Sequence, residues 1–490
     1  MPPVSDGPSS LRAVWAVAAA AALLRALAFG GLDLYSDEAY YWLWSLRPAF
    51  GYYDHPPMVA WLIGLSRLAV PGEVGVRLPF IACGGLAVAF AGLAAREICD
   101  DPRAPAWAAL LAAAAPLLTI TGALALPDAP VEAAYAAGTW LVARARGRRW
   151  LWAGVAVGLA LLSKFTAALL APALFLLVAW DGELRQELRT RWPWLGGAVA
   201  VALFAPCLAW NASHDWVAIR FQLWHGFRGG GSLGGFLEYL GALLAGAGPV
   251  ALALGVVALA RARTSAERRV AAATLLPLAV TLYSATRGPV EANWGALAFP
   301  GLSAAAAAGL ARLRPRLARG LVAASVALGV GVAGAYAAEV RHPRLIPPAA
   351  PAVERFRGQA EFARQARVAA ARACAAMGNP AGCDPSDPPV FTSTYHVASQ
   401  LAFYAGWRRL GPVHERPSQL DLWSDLPRHG SAFLFVGPAG PPPEPLRVFR
   451  AEGEGEPVTF EVRVEGEVVR TGGVTPFARF LGLRPRPLSR

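Results

Sequence analysis

Charge is what this chain has least of. Only 16% of its 490 residues are charged, and lysine occurs once, as Lys164. Ordinary soluble domains carry about 25% charged residues. The deficit, with 55% hydrophobic residues and a mean hydropathy of +0.40, points to lipid rather than to a large soluble core. Cysteine is scarce too. There are five, with no C-x-x-C pair, so zinc-ribbon and thioredoxin readings get no support. No His/Cys cluster has metal-ligand spacing, and no G-K-[ST] marks a P-loop. No cofactor is expected from these absences, although outer acidic residues leave a divalent metal open.

What is present is a series of apolar segments. A bilayer-crossing helix needs about 20 mostly apolar residues. Candidates lie near 11–30, 75–98, 104–123, 128–144, 150–163, 164–181, 193–211, 236–260, 270–286, 293–311 and 320–338. Residues 56–70 read as an amphipathic helix lying along the interface. Arginine concentrates in alternate connections, at 96–103, 144–149, 185–191, 261–269 and 312–319. The other connections hold fewer basic residues: Arg47, Arg67, Lys164, Arg220, Arg228 and Arg287. Positive residues favour the cytoplasmic side, so the N-terminus is expected inside. The same loop arginines account for much of the net charge of +12, and no nucleic-acid partner is expected. The expectation is a polytopic all-α transmembrane bundle of about eleven or more spans, with a small C-terminal α/β extracytoplasmic domain. The domains divide as residues 1–340, with a catalytic first outer loop at 31–75, and 341–490. The second part reads as a helix near 353–377, strands at "PVFTST", "SAFLFVG" and "VTFEVRVEGEVVR", and a helix at "YHVASQLAFYAG". Cys374 and Cys383 fall there and are either a disulfide or two free thiols.

The first outer loop, "DLYSDEAYYWLWSLRPAFGYYDHPPM", carries the chemistry. Its aromatic residues suit a head-group region; its acids need another reason. Asp37 and Glu38 open a short helix, where acids also suit the helix dipole. Alternatively they are a general base at the membrane surface. His55-Pro56-Pro57 is a stiff turn that holds Asp54 and His55. Asp128 lies in an outer connection, as a helix cap or a functional acid. Lys164 has few local acids to pair it, and an intramembrane cation is a functional candidate unless it snorkels. Arg287 and Asn293 sit in another outer connection. The loop 212–235, with His214 and Trp224, ends in glycines and reads as a mobile flap. Tyr40, Tyr53, His214 and Trp224 are the candidates for acceptor contact. Carboxylates plus cations suit sugar transfer from a lipid phosphate. A base takes the proton of an attacking hydroxyl, and a cation neutralises the departing phosphate.

These residues resemble the GT-C membrane glycosyltransferases. More closely, the pattern resembles the family 39 group of protein O-mannosyltransferases and the bacterial aminoarabinose transferases of lipid A. The likeness is carried by Asp37-Glu38, Asp54-His55-Pro56-Pro57, Asp128, Ser163-Lys164 and Asn293-Trp294 followed by Pro300. It covers about the first 340 residues. It implies transfer of a sugar, with inversion, from a polyprenyl phosphate to an acceptor outside the cytoplasm, such as lipid A, a glycan or a protein. It also implies that Asp37 is catalytic and that Lys164 and outer arginines contact donor phosphate, with Asp54, His55 and Asn293 beside them. The aminoarabinose transferases typically carry lysine where His55 stands. The expected location is a bacterial inner membrane, with the C-terminal domain in the periplasm and membrane lipids as neighbours. The competing reading is a secondary transporter for an envelope precursor, which would place its site at broken helices near mid-membrane.

Overall fold

The computed structural model describes residues 8–227, 229–342, 346, 355–380, 383–413, 416–423, 426–440, 442 and 448–484. They form two compact units. The first comprises Met1–Gly30, Ala49–Gly51 and His55–Ala335, and the second Gly31–Pro48, Tyr52–Asp54 and Tyr336–Arg490. Residues 31–48 and 52–54, assigned from sequence to the first domain, therefore pack with C-terminal residues.

The first unit is helical, and the protein is a multi-pass membrane protein. Five helices are long and apolar enough to cross a bilayer: Ser10–Phe29, Gly72–Ile98, Trp192–Ser213, Ser265–Arg287 and Pro315–Arg341. Counting each bent helix pair as one span brings the total to seven. Eleven spans go beyond what helix length supports among the described residues, because several apolar segments are interrupted. Segment 104–123 breaks at Ala115, which adopts an extended ψ of 113° before Pro116; a residue preceding proline is driven out of the helical region. Segment 236–260 bends by 99° between Leu233–Ala247 and Pro249–Ala260. Gly248 at the bend has φ +82°, a left-handed value that suits glycine. Residues 217–227, expected as part of a flap, are instead the helix Val217–Phe227.

Small residues let these helices approach closely. A Cβ on Gly154 would strike the carbonyl of Gly196, and one on Gly196 would strike that of Trp150. The crossing of Arg149–Ser163 with Trp192–Ser213 thus needs both glycines. One buried ion pair ties further elements together. Asp181 caps the helix Gly182–Leu188 by accepting from the Leu184 N–H (3.0 Å), and it also accepts from Ser265 Oγ (2.7 Å) and Arg269 Nε (3.0 Å). Arg269 in turn donates to the Val142 carbonyl at the end of Asp128–Ala143.

The second unit holds a five-stranded sheet in the order β1 (Val390–Thr392), β2 (Phe433–Gly437), β5 (Glu467–Leu483), β3 (Phe449–Glu454), with β4 (Val458–Val464) also on β5. The pair β1–β2 is parallel and the others antiparallel. The β4–β5 hairpin turns through Glu465 and Gly466, both with positive φ, as tight two-residue hairpins require. Phe391, Phe433, Phe449, Phe477 and Phe480 form one aromatic core. The helix Gln359–Ala376 buries Phe362, Ala363, Ala366, Ala370 and Ala373, a stripe at helical spacing. Leu43 of the helix Ser36–Ser45 joins the same core. Cys374 and Cys383 are disulfide-bonded.

Candidate active site

Two polar clusters hold most of the residues singled out from sequence, one in each unit. In the second unit, Ser36–Ser45 is a short helix with Asp37 and Glu38 in its first turn. The two acids do different things. Glu38 is fully buried and accepts from the Tyr35 N–H at 2.8 Å, satisfying a helix-terminal donor. Asp37 faces side chains from far along the chain. Its Oδ1 accepts from Tyr395 Oη (3.0 Å) and lies 3.3 Å from His396 Nε2. Its Oδ2 makes no hydrogen bond among the described residues, and the side chain is 22% exposed. Burial works to raise the Asp37 pKa. The hydrogen bond and charge of His396, the Arg355 charge and the Tyr395 hydroxyl outweigh it and hold the carboxyl at about 2.

Asp54 is more enclosed. Its Oδ2 accepts from Tyr40 Oη (2.8 Å) and its Oδ1 from Arg416 (3.0 Å). Burial pushes its pKa up despite Arg416 and Tyr40. Burial also pushes the Tyr40 phenol up, and the Asp54 charge adds to this. Tyr40 Oη accepts from the Gln419 N–H (2.7 Å), while Gln419 Oε1 accepts from the Tyr53 N–H (2.7 Å). The Arg416 guanidinium lies 4.6 Å over the Tyr395 ring, and the Tyr40 and Tyr395 rings are 4.5 Å apart. Asp37, Tyr395, Arg416, Asp54, Tyr40 and Gln419 thus form one connected network. Sequence reasoning selected Asp37, Asp54, Tyr40 and Tyr53 but missed Tyr395, His396 and Arg416. The only local signal for Tyr395 and His396 is "TSTYHVASQ", where Thr394 caps a helix that opens with them.

In the first unit, the helix Arg149–Ser163 stops and Lys164 is extended (φ −155°, ψ 136°). This break delivers Lys164 Nζ to Asp128 Oδ1 at 2.8 Å. Lys164 has few local acids, and its partner lies 36 residues away in sequence. Asp128 is the first residue of Asp128–Ala143 and makes no side-chain cap. One turn on, Glu132 is buried and accepts from Thr121 Oγ1 (2.8 Å). Buried Arg25 donates to the Leu118 carbonyl (3.2 Å).

His55, half-buried, precedes the helix Met58–Ser66. The His214 ring stacks on Trp210 at 4.1 Å, with Nδ1 2.8 Å from the Trp210 carbonyl. Trp224 is 46% exposed. Arg287 ends its helix, and Asn293 lies in the short 3-10 turn Ala292–Ala298. Among the described residues no three His, Cys, Asp or Glu side chains converge to hold a metal.

Residues 54–210 match the sequence profile of the dolichyl-phosphate-mannose-protein mannosyltransferase family. The chain is 26% identical over 291 residues to lipid A galacturonosyltransferase RgtD of Rhizobium johnstonii, a match covering 56% of this chain and 60% of that protein. It is 31% identical over 191 residues to the undecaprenyl phosphate-alpha-4-amino-4-deoxy-L-arabinose arabinosyl transferase of Pseudomonas savastanoi, covering 36% of this chain and 34% of that one. The chain thus spans less than two thirds of the length of these curated relatives. The crystal structure of ArnT from Cupriavidus metallidurans superposes with a TM-score of 0.63 in the apo state and 0.64 bound to undecaprenyl phosphate. Identity is 17% and 16%, with 94% of this chain and 97% of ArnT covered. The fold is therefore the ArnT fold across nearly the whole chain. By sequence and by fold the chain resembles the GT-C membrane glycosyltransferases of the family 39 group.

Proposed function

We propose that this protein transfers a sugar from a polyprenyl-phosphate donor to a cell-envelope acceptor, with inversion at the anomeric carbon. The observation that carries the proposal is the split environment of Asp37. One oxygen is held by Tyr395 and His396, and the other has no hydrogen bond among the described residues. Such a carboxylate is fixed in orientation yet keeps an oxygen for an incoming hydroxyl. In the reaction the acceptor oxygen bonds to the anomeric carbon, the carbon–oxygen bond to phosphate breaks, and the acceptor proton passes to Asp37. The phosphate departs as an anion. Lys164 keeps the role that the sequence resemblance implies, contact with the donor phosphate; we propose that it leaves Asp128 to make that contact. The relatives act on lipid A or use undecaprenyl-phosphate-linked aminoarabinose, as their names state, and an envelope lipid is the acceptor we favour.

The proposed setting is a bacterial inner membrane with the N-terminus in the cytoplasm and the second unit in the periplasm. The loop arginines support this orientation, as does the Cys374–Cys383 disulfide, a bond that persists in oxidising compartments. The transporter reading gains nothing from the bent pair at Gly248. The cavity there is lined by Leu111, Ala114, Pro116, Pro249, Leu328 and other uncharged residues, with no ionisable group.

Mass spectrometry of envelope lipids and glycans, from cells lacking the chain and from cells with it restored, tests the proposal. One sugar mass should vanish and return; unchanged spectra would refute it. Lys164 gives a narrower check. Lys164→Met should raise the KM for the donor roughly tenfold to a hundredfold, the equivalent of one charge-assisted hydrogen bond. It also leaves Asp128 without its partner. Adding Asp128→Asn should restore protein level but not donor KM, separating binding from folding in a detergent-solubilised assay.

A further inference from the structure

We infer that His396 and Tyr395 are positioning residues for Asp37, so that one step of the C-terminal segment orients the carboxylate that accepts the acceptor's proton. The inference rests on the transfer reading above and assigns the second unit's C-terminal residues a part in it.

Both contacts converge on Asp37 Oδ1, from Tyr395 Oη at 3.0 Å and His396 Nε2 at 3.3 Å. Two donors on one oxygen fix the plane of the carboxylate and turn Oδ2 away from them. The donors are themselves held. Thr394 Oγ1 accepts from the Val397 N–H and caps their helix. Further along the same segment, Gln400 Nε2 donates to the Leu34 carbonyl (2.9 Å), and Tyr404 Oη accepts from the Leu34 N–H (2.8 Å). Leu34 lies three residues before Asp37, so the segment grips the chain on both sides of the carboxylate. The Trp42 and Phe403 rings meet edge to face at 4.8 Å, later in the helix Ser36–Ser45. Support of this kind, on the groups that hold a reactive group, keeps its geometry within narrow limits. The pair is also open to solvent, with His396 24% and Asp37 22% exposed, unlike the buried structural pair of Asp181 and Arg269.

Charges facing the pair come from several elements. Arg355 precedes the helix Gln359–Ala376, Arg416 lies over Tyr395, and Asp54 with Tyr40 stands beyond it. Burial alone would raise the Asp37 pKa; His396 is the first of the groups that outweigh it. In the wild type, loss of the active carboxylate then falls near pH 2, below the working range. Without His396 the carboxyl pKa rises, and the acid limb of the rate profile should move up into the measurable range.

The test uses the full-length purified protein and its polyprenyl-phosphate sugar donor. His396→Ala should lower kcat about tenfold or more with donor KM unchanged, and its kcat should fall on acidification where the wild type's does not. His396→Gln, which keeps a donor, should recover part of the rate. A His396→Ala enzyme with wild-type kcat and pH profile would overturn the inference. A second measurement needs no transfer. The rate of carbethoxylation of His396 by diethyl pyrocarbonate at one fixed pH, read by peptide mass spectrometry, should rise in Asp37→Ala, because the carboxylate that engages Nε2 at 3.3 Å is gone. An unchanged rate would overturn the pairing. A wild-type protein that transfers no sugar, in a pair of proteins that show the changed modification rate, would refute the transfer reading and leave the pairing upheld.

Discussion

Asp37→Asn is expected to yield a folded protein that transfers sugar at least about a hundredfold more slowly, the range over which a positioned general base acts. Asparagine has the size of aspartate, and its carbonyl oxygen still accepts from Tyr395 Oη, which holds Asp37 Oδ1 at 3.0 Å. The local geometry therefore survives while the ability to take a proton is lost. Donor affinity should hold, because the substitution removes no cation. The informative contrast is Asp54→Asn. Asp54 is buried, with one oxygen on Tyr40 and the other on Arg416. Neutralising it leaves the Arg416 charge without its carboxylate in a partly buried place, and the result should be lost protein rather than slow protein. Purified yield, melting temperature and single-turnover transfer, measured on both variants, separate the two outcomes. An Asp37→Asn enzyme with near wild-type turnover would remove Asp37 from the chemistry.

Much of this was legible in the sequence, and the limits are physical. Hydropathy located the apolar segments because burial in lipid acts on composition alone. It could not see that Ala115 and Gly248 interrupt two of them, since a break changes dihedral angles and not hydrophobicity. The tail's strands were visible through alternation and β-branched residues, and Asp37 through its place before an aromatic run. The partners were hidden. His396 lies 359 residues from Asp37, and Arg416 lies 362 from Asp54. No local periodicity links positions so far apart. Lys164 looked unpaired for the same reason, on a shorter scale. The outer segment 31–54 also looked like a loop of the membrane domain, whereas much of it packs with the C-terminal residues. Its own aromatics gave no hint of which surface would cover them.

The largest loss of stability is expected from Asp181→Ala. Asp181 and Arg269 are 1% and 2% exposed and sit 3.0 Å apart. Breaking a buried pair from one side costs about 3–5 kcal/mol, because the remaining charge is left uncompensated. Asp181 is also the cap of Gly182–Leu188 through the Leu184 N–H, which adds about 1 kcal/mol. Arg269→Met should cost less. Asp181 would keep its bonds from Leu184 and Ser265, although the Val142 carbonyl would lose a donor. The double variant Asp181→Ala with Arg269→Met should be more stable than Asp181→Ala alone, since no orphaned cation remains. That reversal of additivity is the signature of a coupled pair, and thermal unfolding in detergent reads it directly. If the two single losses simply add in the double variant, the pair contributes no coupling and Asp181 acts through its bonds from Leu184 and Ser265. Neither residue belongs to the carboxylate network of Asp37 and Asp54, so the surviving folded fraction of each variant should transfer sugar at the wild-type rate per molecule.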